Sequence, residues 1–219
     1  MSSPNFELRW VKPPRQDRSR DTQLRYVEAA QRLLARGKSF AEISVAELAK
    51  EANSSVGSFY SRFRDKDALL HVLQIELNRE GSATAVETFR IGREVKLPLE
   101  VLIRGFVALA VGYYRQQQGL RRALLVEMCN NRELRTRATE LSHETCAGLV
   151  ELLTERFPHA RARMPEVVDI AHRMVYGVLD QNLLFADGSP TGHEVSDGKL
   201  VDELTVAVHA YLDARLAAA

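Results

Sequence analysis

Apolar residues in this chain recur at helical spacing almost throughout, and the strict alternation of a half-buried strand is nearly absent. Leu99, Leu102, Ile103, Phe106, Leu109 and Tyr113 follow the i, i+3, i+4, i+7 rule and lay one apolar stripe along a predicted helix. Pro98 and Pro165 stand where a proline suits a first helical turn, and no proline falls between Pro14 and Pro98. The spacing predicts helices near residues 22–36, 45–52, 55–63, 66–80, 82–94, 98–117, 119–128, 131–156, 165–185 and 199–216. Residues 1–20 hold three of the seven prolines and read as a flexible basic arm. Residues 187–199, with Gly188, Pro190, Gly192 and Gly198, read as a surface loop before the last helix. The expectation is an all-α fold without internal repeats.

Composition narrows the function classes. With 45% hydrophobic and 27% charged residues over 219 positions, the chain can bury a sizeable core and is not mainly disordered. Its longest uncharged apolar run, Gly105 to Tyr114, is about half the length of a membrane-spanning helix, so no membrane partner is expected. The first twenty residues show no apolar stretch behind their arginines and hence no secretory signal. Cys129 and Cys146 form neither a CxxC pair nor a metal-type cluster, which points to a reducing cytoplasm. His143-Glu144-Thr145-Cys146-Ala147 fails the HExxH zinc pattern at its last position, and no nucleophile elbow, P-loop or dinucleotide fingerprint occurs. Neither an enzyme nor a cofactor is therefore expected. Charge is unevenly divided: residues 1–66 hold 13 Lys/Arg against 8 Asp/Glu, a net of +5, while residues 67–219 hold 17 against 21, a net of −4. A basic head on a mildly acidic body suits a polyanion partner at one end.

Three short helices crowd into residues 22–63. The middle one follows Ser44, whose hydroxyl suits an N-cap, and buries Val45, Leu48, Ala49 and Ala52. Asn53-Ser54 then makes a tight turn, Asn being the non-glycine residue best suited to left-handed backbone. Two helices across so short a turn form a helix-turn-helix. In the second of them Phe59 and Phe63 anchor one face, while Ser54, Ser55, Gly57, Ser58 and Ser61 keep the other small and polar. A bare face of that kind lets a helix backbone approach a major groove closely.

Ser44 through Ala52, then Val56-Gly57-Ser58-Phe59-Tyr60-Ser61-Arg62-Phe63, then Asp65-Lys66-Asp67-Ala68-Leu69-Leu70, resemble the DNA-binding head of TetR-type one-component repressors. The resemblance covers about residues 22–72. It implies a head over residues 21–66, behind the arm of residues 1–20, and a helical body over 67–219 that dimerises and holds a ligand. Carried over by position, it implies phosphate contacts for Ser44, Tyr60 and Lys66. Ser55 and Ser58 are the expected readers of base edges, Val56 would meet a thymine methyl, and Ser54 and Gly57 complete the close face. The turn departs from the usual Gly-apolar pair by reading Asn53-Ser54.

Within the body, Phe106, Tyr113, Met128, His172 and Tyr176 are the expected walls of an effector cavity, aromatic surface with a few polar handles. No charge falls on the stripe of 99–113, so the expected effector is largely hydrophobic. Val175, Leu179, Leu204, Val208 and Tyr211 lie on two helices apolar on more than one side, and are the expected homodimer residues. Because no linker separates Phe63 from Leu69, Leu70, Leu73 and Leu77, one helix should serve both head and body as a lever about 22 Å long. The implied function is a ligand-responsive repressor that binds a pseudo-palindromic DNA operator as a dimer and is released by a small molecule. Two alternatives stand at this stage: a dimeric DNA-binding regulator without an inducer, and a helical enzyme or small-molecule binding protein.

Overall fold

The computed structural model describes residues 17–95, 97–185 and 191–217. Most of the basic arm, and Gly188 and Pro190 of the expected loop, lie outside the described residues. Among the described residues nine α-helices and one 3-10 turn follow in order: α1 (Asp17–Ala35), α2 (Val45–Glu51), α3 (Val56–Arg62), α4 (Lys66–Glu94), α5 (Leu99–Gln116), α6 (Gln118–Met128), α7 (Arg132–Arg156), the 3-10 turn Pro158–Arg163, α8 (Met164–Leu184) and α9 (Asp197–Leu216). No strand occurs among the described residues, so the all-α expectation is met. The chain forms two compact units, one ending at Leu77 and the other starting at Asn78.

In the first unit, α1, α2 and α3 pack around Tyr26, whose ring meets Phe59 and Phe63 edge-on at centroid distances of 5.3 and 6.1 Å. Leu34, Ile43, Leu48, Leu69, Leu70 and Leu73 close this core. Two aromatics four residues apart on α3 thus fix a helix too short to be stable alone. Arg32 and Arg36 both pair with Glu51, tying α1 to the end of α2.

The second unit is built around Ile103, Val107, Met164, Val168, Val175, Leu179, Leu204, Val208 and Leu212, where α5, α8 and α9 meet, with Leu153 of α7 beside them. The buried face of α5 is Ile103, Val107, Ala110, Val111 and Tyr114. This corrects the predicted stripe, in which Leu109 is 47% exposed. Residues 105–114 are apolar or glycine all round, so periodicity alone does not choose the face; packing against α9 does. Pro165 sits in the first turn of α8, as expected.

A second correction concerns α4, a single 29-residue helix where two were expected. Gly81 lies inside it, where a glycine costs about 1 kcal/mol relative to alanine. Packing on α7 holds the helix together. Ser82 Oγ donates to Glu144 at 2.9 Å, Arg93 pairs with Glu151 at 2.8 Å, and Phe89 is buried. A Cβ on Gly148 would lie 2.4 Å from the Phe89 ring, so only glycine admits that ring. Gly148→Ala should therefore cost the second unit about 1–3 kcal/mol through overpacking. In thermal melts the double variant Gly148→Ala/Phe89→Leu should recover most of that loss; an unchanged melting temperature in the single variant would refute the contact.

Candidate functional site

The helix-turn-helix is closed by its own polar groups. Ser44 Oγ accepts from the Glu47 amide at 3.1 Å and caps α2 as expected. Asn53 adopts φ 48°, the left-handed backbone expected of it. Ser55 caps α3, its Oγ accepting from the Ser58 amide at 3.1 Å, and the Tyr26 hydroxyl donates to the Ser55 carbonyl at 2.7 Å. One Ser55 lone pair thus serves the helix, and its O–H and second lone pair remain to offer outward.

Val56 and Tyr60 are 42% and 52% exposed although both are large and apolar-bodied, and Ser44, Ser55 and Gly57 are exposed beside them. Ser54 and Ser58 are half-buried. A Cβ on Gly57 would meet only Ser55 Oγ, at 3.9 Å, so nothing inside the head requires glycine there. The outer face of α3 is bare toward solvent.

Lys66, expected at a phosphate, also has partners within the head. Its ammonium donates to the carbonyls of Phe40, Ala41 and Ile43 at 2.7, 3.1 and 3.0 Å and lies 4.8 Å from the Phe40 ring centroid. That group is engaged in closing the loop between α1 and α2. Sequence reasoning missed Arg25, whose guanidinium donates to the Asn53 carbonyl at 3.4 Å and to Thr22 Oγ1 at 3.2 Å. It sets an exposed cation beside the turn; the signal available was only its place one residue before the anchoring Tyr26.

In the second unit three of the five expected cavity residues gather. His172 stacks on Tyr176 at 4.2 Å, Tyr114 approaches Tyr176 at 5.7 Å, and the Arg121 guanidinium lies 4.8 and 4.0 Å from the Tyr113 and Tyr114 rings. The Tyr114 hydroxyl donates to Asp180 at 3.0 Å. Phe106 and Met128 are half-buried, and no ring contact joins them to this cluster. Burial governs its titration: the Tyr113 hydroxyl is pushed up to about 12, and Tyr114 and Tyr176 also rise. Asp180 is pushed up by burial against the Tyr114 hydrogen bond and the Arg121 charge. His172 is pushed down by burial, partly offset by Asp169.

Residues 27–73 match the family described as bacterial regulatory proteins, tetR family, and residues 98–212 match the tetracyclin repressor-like C-terminal domain. The second match alone spans more than half of the 219 residues. The chain belongs to the TetR family of transcriptional regulators. No curated protein matches it significantly in sequence. Among solved structures, a protein assigned to the TetR family from Mesorhizobium loti MAFF303099 is similar at TM-score 0.72 and 14% identity, covering 91% of this chain and 98% of its own. Salmonella enterica GusR is similar at TM-score 0.59 and 21% identity, over 88% and 95%. FadR of Bacillus subtilis, in complex with stearoyl-CoA, is similar at TM-score 0.57 and 17% identity, over 89% and 97%. Likeness at such identities is likeness of fold.

The dimer residues expected for this TetR-family chain are placed elsewhere. Val175, Leu179, Leu204 and Val208 are 1–7% exposed and sit in the chain's own core. Tyr211 is half-buried, with the Arg215 guanidinium 5.8 Å from its ring. What α8 and α9 leave exposed is another set, including Ile170, Gly177 and Leu184 on α8 and Val206, Ala207 and Ala210 on α9.

The half-buried His172 makes a pH prediction. A base held below its unfolded pKa binds fewer protons in the fold than in the open chain, so its contribution is intact above about 6.5 and is lost as pH falls below that. Asp180 works oppositely, weakening the fold as pH rises from 3.8. Comparing wild type with His172→Gln isolates the histidine. Between pH 7.5 and 5.5 wild type should lose more stability, by at most about 1.4 kcal/mol per pH unit. Parallel pH profiles in urea melts would show that His172 charges freely.

Proposed function

We propose that this chain is a ligand-responsive repressor that holds a pseudo-palindromic operator as a two-fold dimer and releases it when a small, largely hydrophobic effector enters the body. The observation that carries the reading is the α3 surface. A short helix pinned from within by Phe59 and Phe63 presents Val56, Gly57 and Tyr60 to solvent, at an apolar cost that DNA contact would offset. In this reading Ser58, the Ser55 hydroxyl and Val56 face base edges in the major groove, Gly57 and Ser54 permit the approach, and Tyr60, Ser44 and Arg25 take phosphates. The functional division is an arm over 1–20, a head over 21–66 and a body over 67–219, with α4 shared between the last two. The protein works in the cytoplasm, where its operator lies.

The faces of α8 and α9 left exposed supply the dimer seam, with Ile170, Gly177, Val206, Ala207 and Ala210 at its centre. Gly and Ala there allow close helix approach, and the two-fold axis sets the spacing of the half-sites. The stearoyl-CoA complex of Bacillus subtilis FadR supports an effector with a substantial apolar part. For a full switch the effector must prefer the released state by about 5 kcal/mol.

Selection of bound duplexes from a random pool, followed by footprinting, tests the reading. An inverted repeat should emerge, with half-sites a helical turn or more apart. Ser58→Ala should change the selected bases, while Tyr60→Phe should weaken all selected duplexes alike. Recovery of no preferred duplex, or of a single unrepeated site, would contradict it.

A further inference from the structure

We propose that the effector carries a carboxylate, and that Arg121 is the residue that receives it inside the body. The inference rests on reading the chain as a ligand-responsive regulator and deepens it by naming the ligand's chemistry. Five helices converge at this point. A Cβ on Gly81 of α4 would lie 3.6 Å from both the Tyr113 ring of α5 and Leu141 of α7. Tyr113 and Tyr114 flank Arg121 of α6, and Tyr176 of α8 closes the group with His172 stacked on it.

Arg121 is oddly placed for a structural arginine. Its Nε is shielded from solvent and has no hydrogen-bond partner, and among the described residues no carboxylate forms an ion pair with it. Asp180, the carboxyl in its surroundings, is held by the Tyr114 hydroxyl at 3.0 Å. Burial raises the Asp180 pKa, and the Tyr114 hydrogen bond and the Arg121 charge oppose that rise. Four surface arginines of the same unit, Arg93, Arg104, Arg115 and Arg173, each pair with a carboxylate. A guanidinium with a planar donor fork suits a carboxylate better than any neutral group, and the Tyr113, Tyr176 and His172 rings suit a flat apolar body next to it. A ligand seated there would bear on Tyr113, which lies against α4 at Gly81, the helix that begins at Lys66.

Isothermal titration calorimetry on the full-length protein tests this with matched probe pairs: 2-naphthoate against naphthalen-2-ylmethanol, and myristate against tetradecanol. At least one acid should bind ten-fold or more tightly than its alcohol, and the better pair distinguishes a flat body from an acyl chain. Arg121→Gln should lose that ten-fold preference while leaving the alcohol unchanged. Arg121→Lys keeps the charge without the fork and should lose about three-fold, so the test survives if the glutamine variant does not fold. Equal binding of acid and alcohol, no binding of either acid, or an acid preference untouched by both variants would overturn the inference. Release of operator DNA by an alcohol that ignores Arg121 would sink the carboxylate but keep the regulator reading. Acid binding through Arg121 with operator affinity unchanged would keep the site and remove its regulatory role.

Discussion

Lys66→Met should lower the melting temperature of the DNA-binding head by about 10–20 °C while leaving the salt dependence of DNA binding in the still-folded fraction unchanged. The ammonium group donates to three carbonyls that precede it by 23 to 26 residues, and two of those bonds are partly buried. A hydrogen bond to a charged group contributes about 1.5–3 kcal/mol, and the methionine leaves all three acceptors to find water or go unpaired. Shape is largely kept by Met, so the packing against Phe40 changes little. A net loss of about 2–4 kcal/mol is a large share of the stability of so small a unit. The alternative role, a phosphate contact, makes the opposite pair of predictions: an unchanged melt, and a salt slope reduced by roughly one per head. Denaturation and anisotropy on the same variant distinguish them.

Ala210→Glu should convert the protein to monomers without unfolding it, and Leu204→Glu should do the reverse. Ala210 is exposed on α9, whereas Leu204 is 7% exposed within the core shared by α5, α8 and α9. A glutamate at 210 meets its symmetry mate across the proposed seam, where like charges and lost close approach oppose association. At 204 the same residue buries an unpaired charge inside one protomer, which costs several kcal/mol. Losing the second head removes the gain of tethered binding, so operator affinity of the Ala210 variant should fall by about 10²–10⁴-fold. Light scattering with circular dichroism reads both outcomes. A folded dimer in the Ala210 variant would move the seam elsewhere.

What was legible in the sequence was local. Ser44 and Asn53 announce the first cap and the turn of the helix-turn-helix because each acts on backbone within three residues of itself; that Ser55, expected at a base edge, also caps α3 is visible only in the structure. The helices themselves follow from spacing and from Pro98 and Pro165. The engagement of Lys66 was not legible, since its acceptors are backbone carbonyls in a distant loop whose residue types carry no signal. The faces of α8 and α9 failed for another reason. Hydrophobicity marks a residue as buried without saying in what, so Val175, Leu179, Leu204 and Val208 looked like interface and proved to be core. Of the residues left outside, Gly177, Ala207 and Ala210 are too small to register in a hydrophobic pattern, and Ile170 and Val206 look no different there from core residues. Arg121 and Asp180 escaped because their helices bring charge to the aromatic cluster from outside the 99–113 stripe.

In the proposed function, the bare α3 face makes this chain a sequence-reading DNA-binding protein. Fluorescence anisotropy of the wild-type protein on duplex from upstream of its own gene, against a scrambled duplex of equal length, over 50–300 mM salt tests that claim most directly. Affinity should be about 10³-fold or more higher for the native duplex near physiological salt, with log K falling linearly against log salt on both. Equal affinity for the two duplexes, or no dependence on salt, would contradict it.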